Sequence, residues 1–273
     1  MPSQLLQASV KPSDSSAESS NTVKMVEEGP YTQVCTAIYG LQKLFALGMF
    51  VSLFVWIFAH AGGIGMRDEP TLEFNIHPMM MSIGMLFFNG EAITVYRGVR
   101  QVQKKHTKLA HMIIQIAGLV LITFGLITAL DSHNYAKPKP IPNFMSFHSW
   151  LGILTISLFS LQLFGGIGIF ALPYASMDLR KKTMPIHRIS GVLIFVLAFA
   201  SSMLGYSEKA AWAFKCWTAN GEFCAMVFWG NMFALCMSLY ALCVLSIVIN
   251  PEWIRKPLPS ETHVPLVQRD RHE

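Results

Sequence analysis

Four of the nine histidines stand where an ionisable ring is costly. His77 in NIHPMMM, His111 in KLAHMII, His148 in SFHSWLG and His187 in PIHRISG each lie near the start of a long apolar run, and they follow one another at intervals of 34, 37 and 39 residues. A single histidine of this kind is explained by a neutral ring hydrogen-bonded to a neighbouring helix. Four of them, one per run, call for a shared purpose, because ionisable groups in hydrocarbon tend to mark function. Two imidazoles facing each other inside a helical bundle make the axial ligand set of a b-type haem. Zinc would ask for three or four ligands with Cys, Asp or Glu close by. A proton relay would ask for acidic partners, yet Glu91 is the only carboxylate well inside an apolar run. Two bis-histidine haems account best for the set.

The elements that must position these rings are membrane helices. Hydrophobic residues make up 52% of the 273, charged residues only 14%, and the mean hydropathy is +0.42, which excludes an ordinary soluble domain. Six runs are long enough for a hydrocarbon core, which takes about 20 helical residues: Ile38 to Ala61, Ile76 to Tyr96, Leu109 to Leu130, Phe147 to Phe170, Ile186 to Leu204 and Val227 to Ile249. The predicted fold is therefore an all-α membrane protein, a six-transmembrane helical bundle whose central four helices, segments 2 to 5, hold two haems b. Residues 1–34 are expected to be a disordered cytosolic tail, 35–250 the six-helix domain and 251–273 a cytosolic C-terminal tail.

Consecutive helices alternate in direction, so His77 and His148 fall near one face and His111 and His187 near the other. Arg97, Arg100, Lys104, Lys105 and Lys108 crowd the second connection, Arg180, Lys181, Lys182 and Arg188 the fourth, and Arg255 and Lys256 follow the last run. By the positive-inside rule both termini and the even connections face the cytosol. The net charge of +5 is mostly topology, and no nucleic-acid surface is expected. Cys216 and Cys224, in the last outer loop, are compatible with a disulfide or with a reduced pair.

FNIHPMMM, VYRGVR, KLAHM, FHSWLG and MPIHRISG together resemble the cytochrome b561 family of transmembrane ascorbate-dependent reductases, over about Ile38 to Ile249. The family's usual SLHSW appears as SFHSW, and the ALLVYRVFR of its vesicle members as AITVYRGVR. The resemblance implies His77 and His148 on an outer haem iron, and His111 and His187 on an inner one. It also implies electron transfer from cytosolic ascorbate to monodehydroascorbate or a ferric complex on the far side, in a homodimer embedded in membrane lipid. Plasma, secretory-vesicle and endolysosomal membranes all remain open. So do two other classes: a dihaem anchor that passes electrons to a partner protein, and a haem-free transporter.

Local chemistry meets the resemblance at both faces. Lys104, Lys108 and His111 are spaced i, i+4, i+7, which puts them on one helical face. With Arg180, seven residues before His187, they form the cytosolic ascorbate site that the family implies, since Arg offers a forked donor to an anionic enediolate. Arg97 lies 20 residues beyond His77, roughly 30 Å of helix, as a snorkelling anchor or a haem-propionate partner. His133 is 22 residues beyond His111, about 33 Å of rise, which brings it out near the outer haem. The family has a His-Asn pair at this place, so His133 and Asn134 are the expected outer substrate site, and Trp150 is placed in the haem surroundings.

Overall fold

The computed structural model describes residues 30–262, and among them no strand occurs. Helix α1 (Pro30–Val55) is prolonged by a π-helical turn, Trp56–His60. After the short α2 (Pro70–Glu73), α3 (Ile76–Met81), a π-helical turn (Ser82–Phe88) and α4 (Asn89–Gly98) run on as one interrupted helix. Then come α5 (Lys104–Asn134), α6 (Phe147–Gly166) with a closing π turn (Ile167–Ala171), and α7 (Met177–Ala213). The short α8 (Lys215–Thr218), α9 (Ala225–Ile249) and a one-turn α10 (Pro259–Thr262) complete the chain. The N-terminal helix starts at Pro30, so the expected tail boundary at residue 34 moves back. Residues 1–29 and 263–273 lie outside the described part, and with them most of the expected N-terminal tail and the end of the expected C-terminal tail, of which residues 251–262 are described.

Five helices among the described residues are long and apolar enough to cross a membrane: Thr32–His60, Lys104–Asn134, Phe147–Ala171, Met177–Ala213 and Ala225–Ile249. The interrupted helix Ile76–Gly98 stands apart from these five. No residue along it is exposed and about half are buried, so neighbouring helices cover most of it and it tolerates polar groups. Asn89 accepts a hydrogen bond from Gln115, and Glu91 pairs with Lys43 and accepts from Gln42 of α1. Arg97 donates to the carbonyls of Ile247 and Asn250 at the end of α9.

Three antiparallel couples build the bundle. The interrupted helix packs along α5, where Gly84 and Gly118 let the backbones touch: a Cβ on Gly84 would lie 2.9 Å from the Gly118 carbonyl. α6 packs along α7. α1 packs along α9, with Cys35 against Ile247 and Trp253 at one end and Trp56 beside Phe233 at the other. Met85, Leu86, Ile122, Phe159 and Ile194 fill the centre among the helices that carry the histidines.

Candidate functional site

Each histidine is aimed by the helix antiparallel to its own. His77 follows directly on Ile76 at the start of α3, with Pro78 in the same first turn, where a missing N–H is harmless. His148 lies in the first turn of α6, opened by a capping box in which Ser146 and Ser149 satisfy each other's backbone. The Nδ1 of His77 lies 2.9 Å from the Gly125 carbonyl of α5, that of His111 2.7 Å from the Ala92 carbonyl of α4, and that of His148 2.8 Å from the Ser201 carbonyl of α7. A carbonyl can only accept, so Nδ1 carries the proton in each case and the Nε2 lone pair is left for a metal. His187 is held differently. Its ring packs edge-on to Phe170 at 5.1 Å, over Gly166, while Gln162 donates to its backbone carbonyl at 2.9 Å.

The four rings gather into two pairs. The centroids of His77 and His148 are 6.1 Å apart and those of His111 and His187 6.2 Å apart. One metal ion between two such rings, with nitrogen bonds of about 2 Å on each side, sets the centroids roughly 6 Å apart. The pairs lie at opposite ends of the bundle with matched offsets. His111 and Gly125 are 14 residues apart on α5, His187 and Ser201 14 apart on α7, and Gly152 and Gly166, which back Ser201 and His187, 14 apart on α6. On the interrupted helix His77 and Ala92 are 15 apart, with the π turn between them.

This donor set fits haem. Among the described residues no group of three or more metal-ligating side chains exists, so each pair offers two imidazoles and nothing else. A porphyrin iron brings its own four nitrogens and asks the protein for those two. Gly205 adds a steric sign, because a Cβ there would stand 2.6 Å from the His148 ring.

A cavity of about 820 Å³ opens beside His77 and His148, a usual size for a ligand pocket. His133 borders it, stacked on Phe74 at 5.8 Å, and its Nδ1 lies 3.1 Å from Asn143 Oδ1. Asn134 accepts from Asn143 Nδ2 at 2.9 Å and stands behind it; Asn143 itself faces the cavity. Trp150 points outward, 67% exposed, and its indole N–H donates to the Phe144 carbonyl. Phe144, at φ 58°, forms part of the wall. Asn143, Phe74, Trp212 and the buried Lys209 also line this space, and no spacing or motif in the sequence marks them for it. Cys216 and Cys224 are joined in a disulfide at this end.

At the other end, Lys108 Nζ donates to the Phe170 carbonyl at 2.6 Å and Arg180 Nη2 to the Leu172 carbonyl at 2.8 Å. Two cations thus converge on the turn whose Phe170 packs against His187, and the Arg180 Nε is buried without an acceptor. Lys104 is less involved: its ammonium is exposed, and its backbone N–H donates to Glu261. Arg255, together with the N–H groups of Lys104 and Leu258, holds the Glu261 carboxyl down at about 2. The C-terminal segment is thereby clasped to the start of α5.

Apolar membrane helices carrying two facing imidazole pairs define an integral, multi-pass membrane protein of the cytochrome class. The family model described as eukaryotic cytochrome b561 matches residues 76–213, all four histidines included. The chain belongs to this family, in which haem b is the bound group. It is 37% identical over 212 residues to a Caenorhabditis elegans homologue of transmembrane ascorbate-dependent reductase CYB561, covering 76% of this chain and 80% of that one. It is 33% identical over 232 residues to the transmembrane ascorbate-dependent reductase CYB561 of Sus scrofa, covering 85% and 86%. It is also 33% identical over 211 residues to the plasma membrane ascorbate-dependent reductase CYBRD1 of Xenopus laevis, covering 77% and 72%.

Proposed function

We propose that this protein moves single electrons across a membrane, from cytosolic ascorbate through two bis-histidine haems b to monodehydroascorbate or a ferric complex on the far side. The observation that carries the reading is the pair of facing imidazole couples, 6.1 and 6.2 Å between centroids, at opposite ends of one bundle. In this reading the interrupted helix Ile76–Gly98 is a sixth crossing, the His111 end faces the cytosol, and the working unit is a homodimer in membrane lipid. The basic residues at the His111 end support that orientation, as does the disulfide at the His77 end, since disulfides persist on oxidising faces.

Haem held by His77 with His148 and by His111 with His187 would supply a reversible one-electron couple suited to electron transfer. The chain's own residues do the rest. His77, His111 and His148 keep their protons on Nδ1, so each presents a fixed lone pair. Lys108 and Arg180 offer cationic N–H groups to the enediolate of ascorbate, which leaves as monodehydroascorbate after giving up one electron and releasing one proton to the water on that side. His133 and Asn143 offer polar contacts beside His77, where the acceptor takes up the electron.

The test is a pyridine haemochrome count and an absorption spectrum of the purified protein before and after ascorbate. Two b haems per chain, rapidly reduced, are expected; a chain without haem would overturn the reading. Gly205→Ala tests the same geometry more finely. It should lower haem occupancy at the His77 end while sparing the His111 end, because the added methyl displaces the His148 ring from the Ser201 carbonyl. Full occupancy at both ends would show that the ring can yield.

A further inference from the structure

Lys209 is a buried cation that no carboxylate pairs with among the described residues. It lies near the end of α7, 9% exposed. Its ammonium donates to Asn75 Oδ1 at 3.2 Å and stands 4.2 Å from the centroid of Trp212 and 4.8 Å from that of Phe74. An ammonium has three donors, and a neutral amide engages one of them. Glu208 borders the same cavity without reaching Lys209. Burying a charge is costly unless it is paired.

The surroundings hold the cation in place. Asn75 cannot turn away, because its Nδ2 is anchored on the carbonyls of Ala61 and Gly63 at 3.1 and 2.8 Å. Gly62 and Gly63, both at φ 83°, make the turn that presents those carbonyls. Two aromatic faces flank the ammonium and favour a cation there. The free side of this arrangement is the cavity that His77, His133 and His148 also border.

We propose that Lys209 is the anion-binding residue of this cavity, and that it receives a carboxylate or enolate oxygen. The assignment rests on the function proposed above and deepens it. That oxygen has two sources: a propionate of the haem between His77 and His148, or the acidic group of the electron acceptor. In the second case the far-side pocket selects acceptors that arrive as anions, such as a ferric carboxylate complex, over cationic ones.

The experiment compares full-length, haem-loaded wild type with Lys209→Gln and with Lys209→Arg, which keeps the charge. Haem per chain, the midpoint potential of each haem and the rate of reduction by ascorbate are measured. So is the KM for two electron acceptors, ferric citrate and the cationic hexaammineruthenium(III). If the partner is the propionate, Lys209→Gln lowers either the occupancy or the potential of the haem at the His77 end and leaves acceptor preference alone. If it is the acceptor, the KM for ferric citrate rises roughly ten- to hundredfold, the effect of losing a charged hydrogen bond, with no such rise for the ruthenium complex. In either case Lys209→Arg stays close to wild type. Equal behaviour of the two variants, both intact or both lost, overturns the assignment, because it would make charge irrelevant at this position. A wild type that takes up no haem, or that ascorbate does not reduce, would count against the proposed function itself; normal wild-type behaviour with two indistinguishable variants counts against Lys209 alone.

Discussion

His148→Ala is expected to yield a protein with roughly half the haem per chain, and His77→Ala the same, because under the proposed function either change leaves one imidazole of the two that would hold the haem at that end. The remaining haem should be the one at the His111 end. That end is independent in its anchors: His111 leans on Ala92 and His187 on Phe170 and Gly166, and none of these touches the other pair. The measurement is a haemochrome count together with the low-temperature spectrum of what remains. Loss of both haems would mean that the pairs assemble as one unit, and retention of both would remove the histidines from the ligand set.

Lys108→Ala combined with Arg180→Ala should keep both haems and slow their reduction by ascorbate by roughly tenfold or more, as expected when charged hydrogen bonds to an anion are removed. Both side chains reach the turn at the end of α6 through carbonyl contacts near the surface, and surface contacts of this kind contribute little to folding. Stopped-flow reduction by ascorbate reads the effect, with dithionite as a donor that needs no docking site. Full-rate reduction by ascorbate in the double variant would place the donor site elsewhere. Lys104 is a weaker candidate than its spacing implied, because its ammonium faces solvent while its backbone serves the Glu261 clasp.

The helical membrane class and the four histidines were legible from apolar runs and from the position of each ring within its run. Helix length was less so. α7 continues nine residues beyond Leu204, through GYSEKAAWA, since Ala, Glu and Lys favour helix even where they leave hydrocarbon. Lys209, five residues past the expected end of that run, is thereby a buried residue of the helix and not part of a connection. Asn143 and Phe74 were hidden for another reason: they come from connections, and only the folded chain brings them to His77. The interrupted helix is the reverse case. Its apolar run was visible, whereas its enclosure by protein, which accounts for Asn89, Glu91 and Arg97, could not be read from one strand of sequence.

The matched offsets between the two ends put chain length itself under constraint. In a regular α-helix one residue more or less turns everything beyond it by about 100°. In α5, α6 or α7 such a change between the pairs would swing one imidazole, or the group that supports it, out of the interior while its counterpart stayed in place. The interrupted helix carries one residue more than the others over the same stretch, 15 against 14, and the π turn at Ser82–Phe88 takes up the surplus. Among the described residues this is the one stretch between the pairs where residue number and rotational phase are uncoupled. The wide turn works as a spacer correction, letting a helix of unequal count keep step with three of equal count.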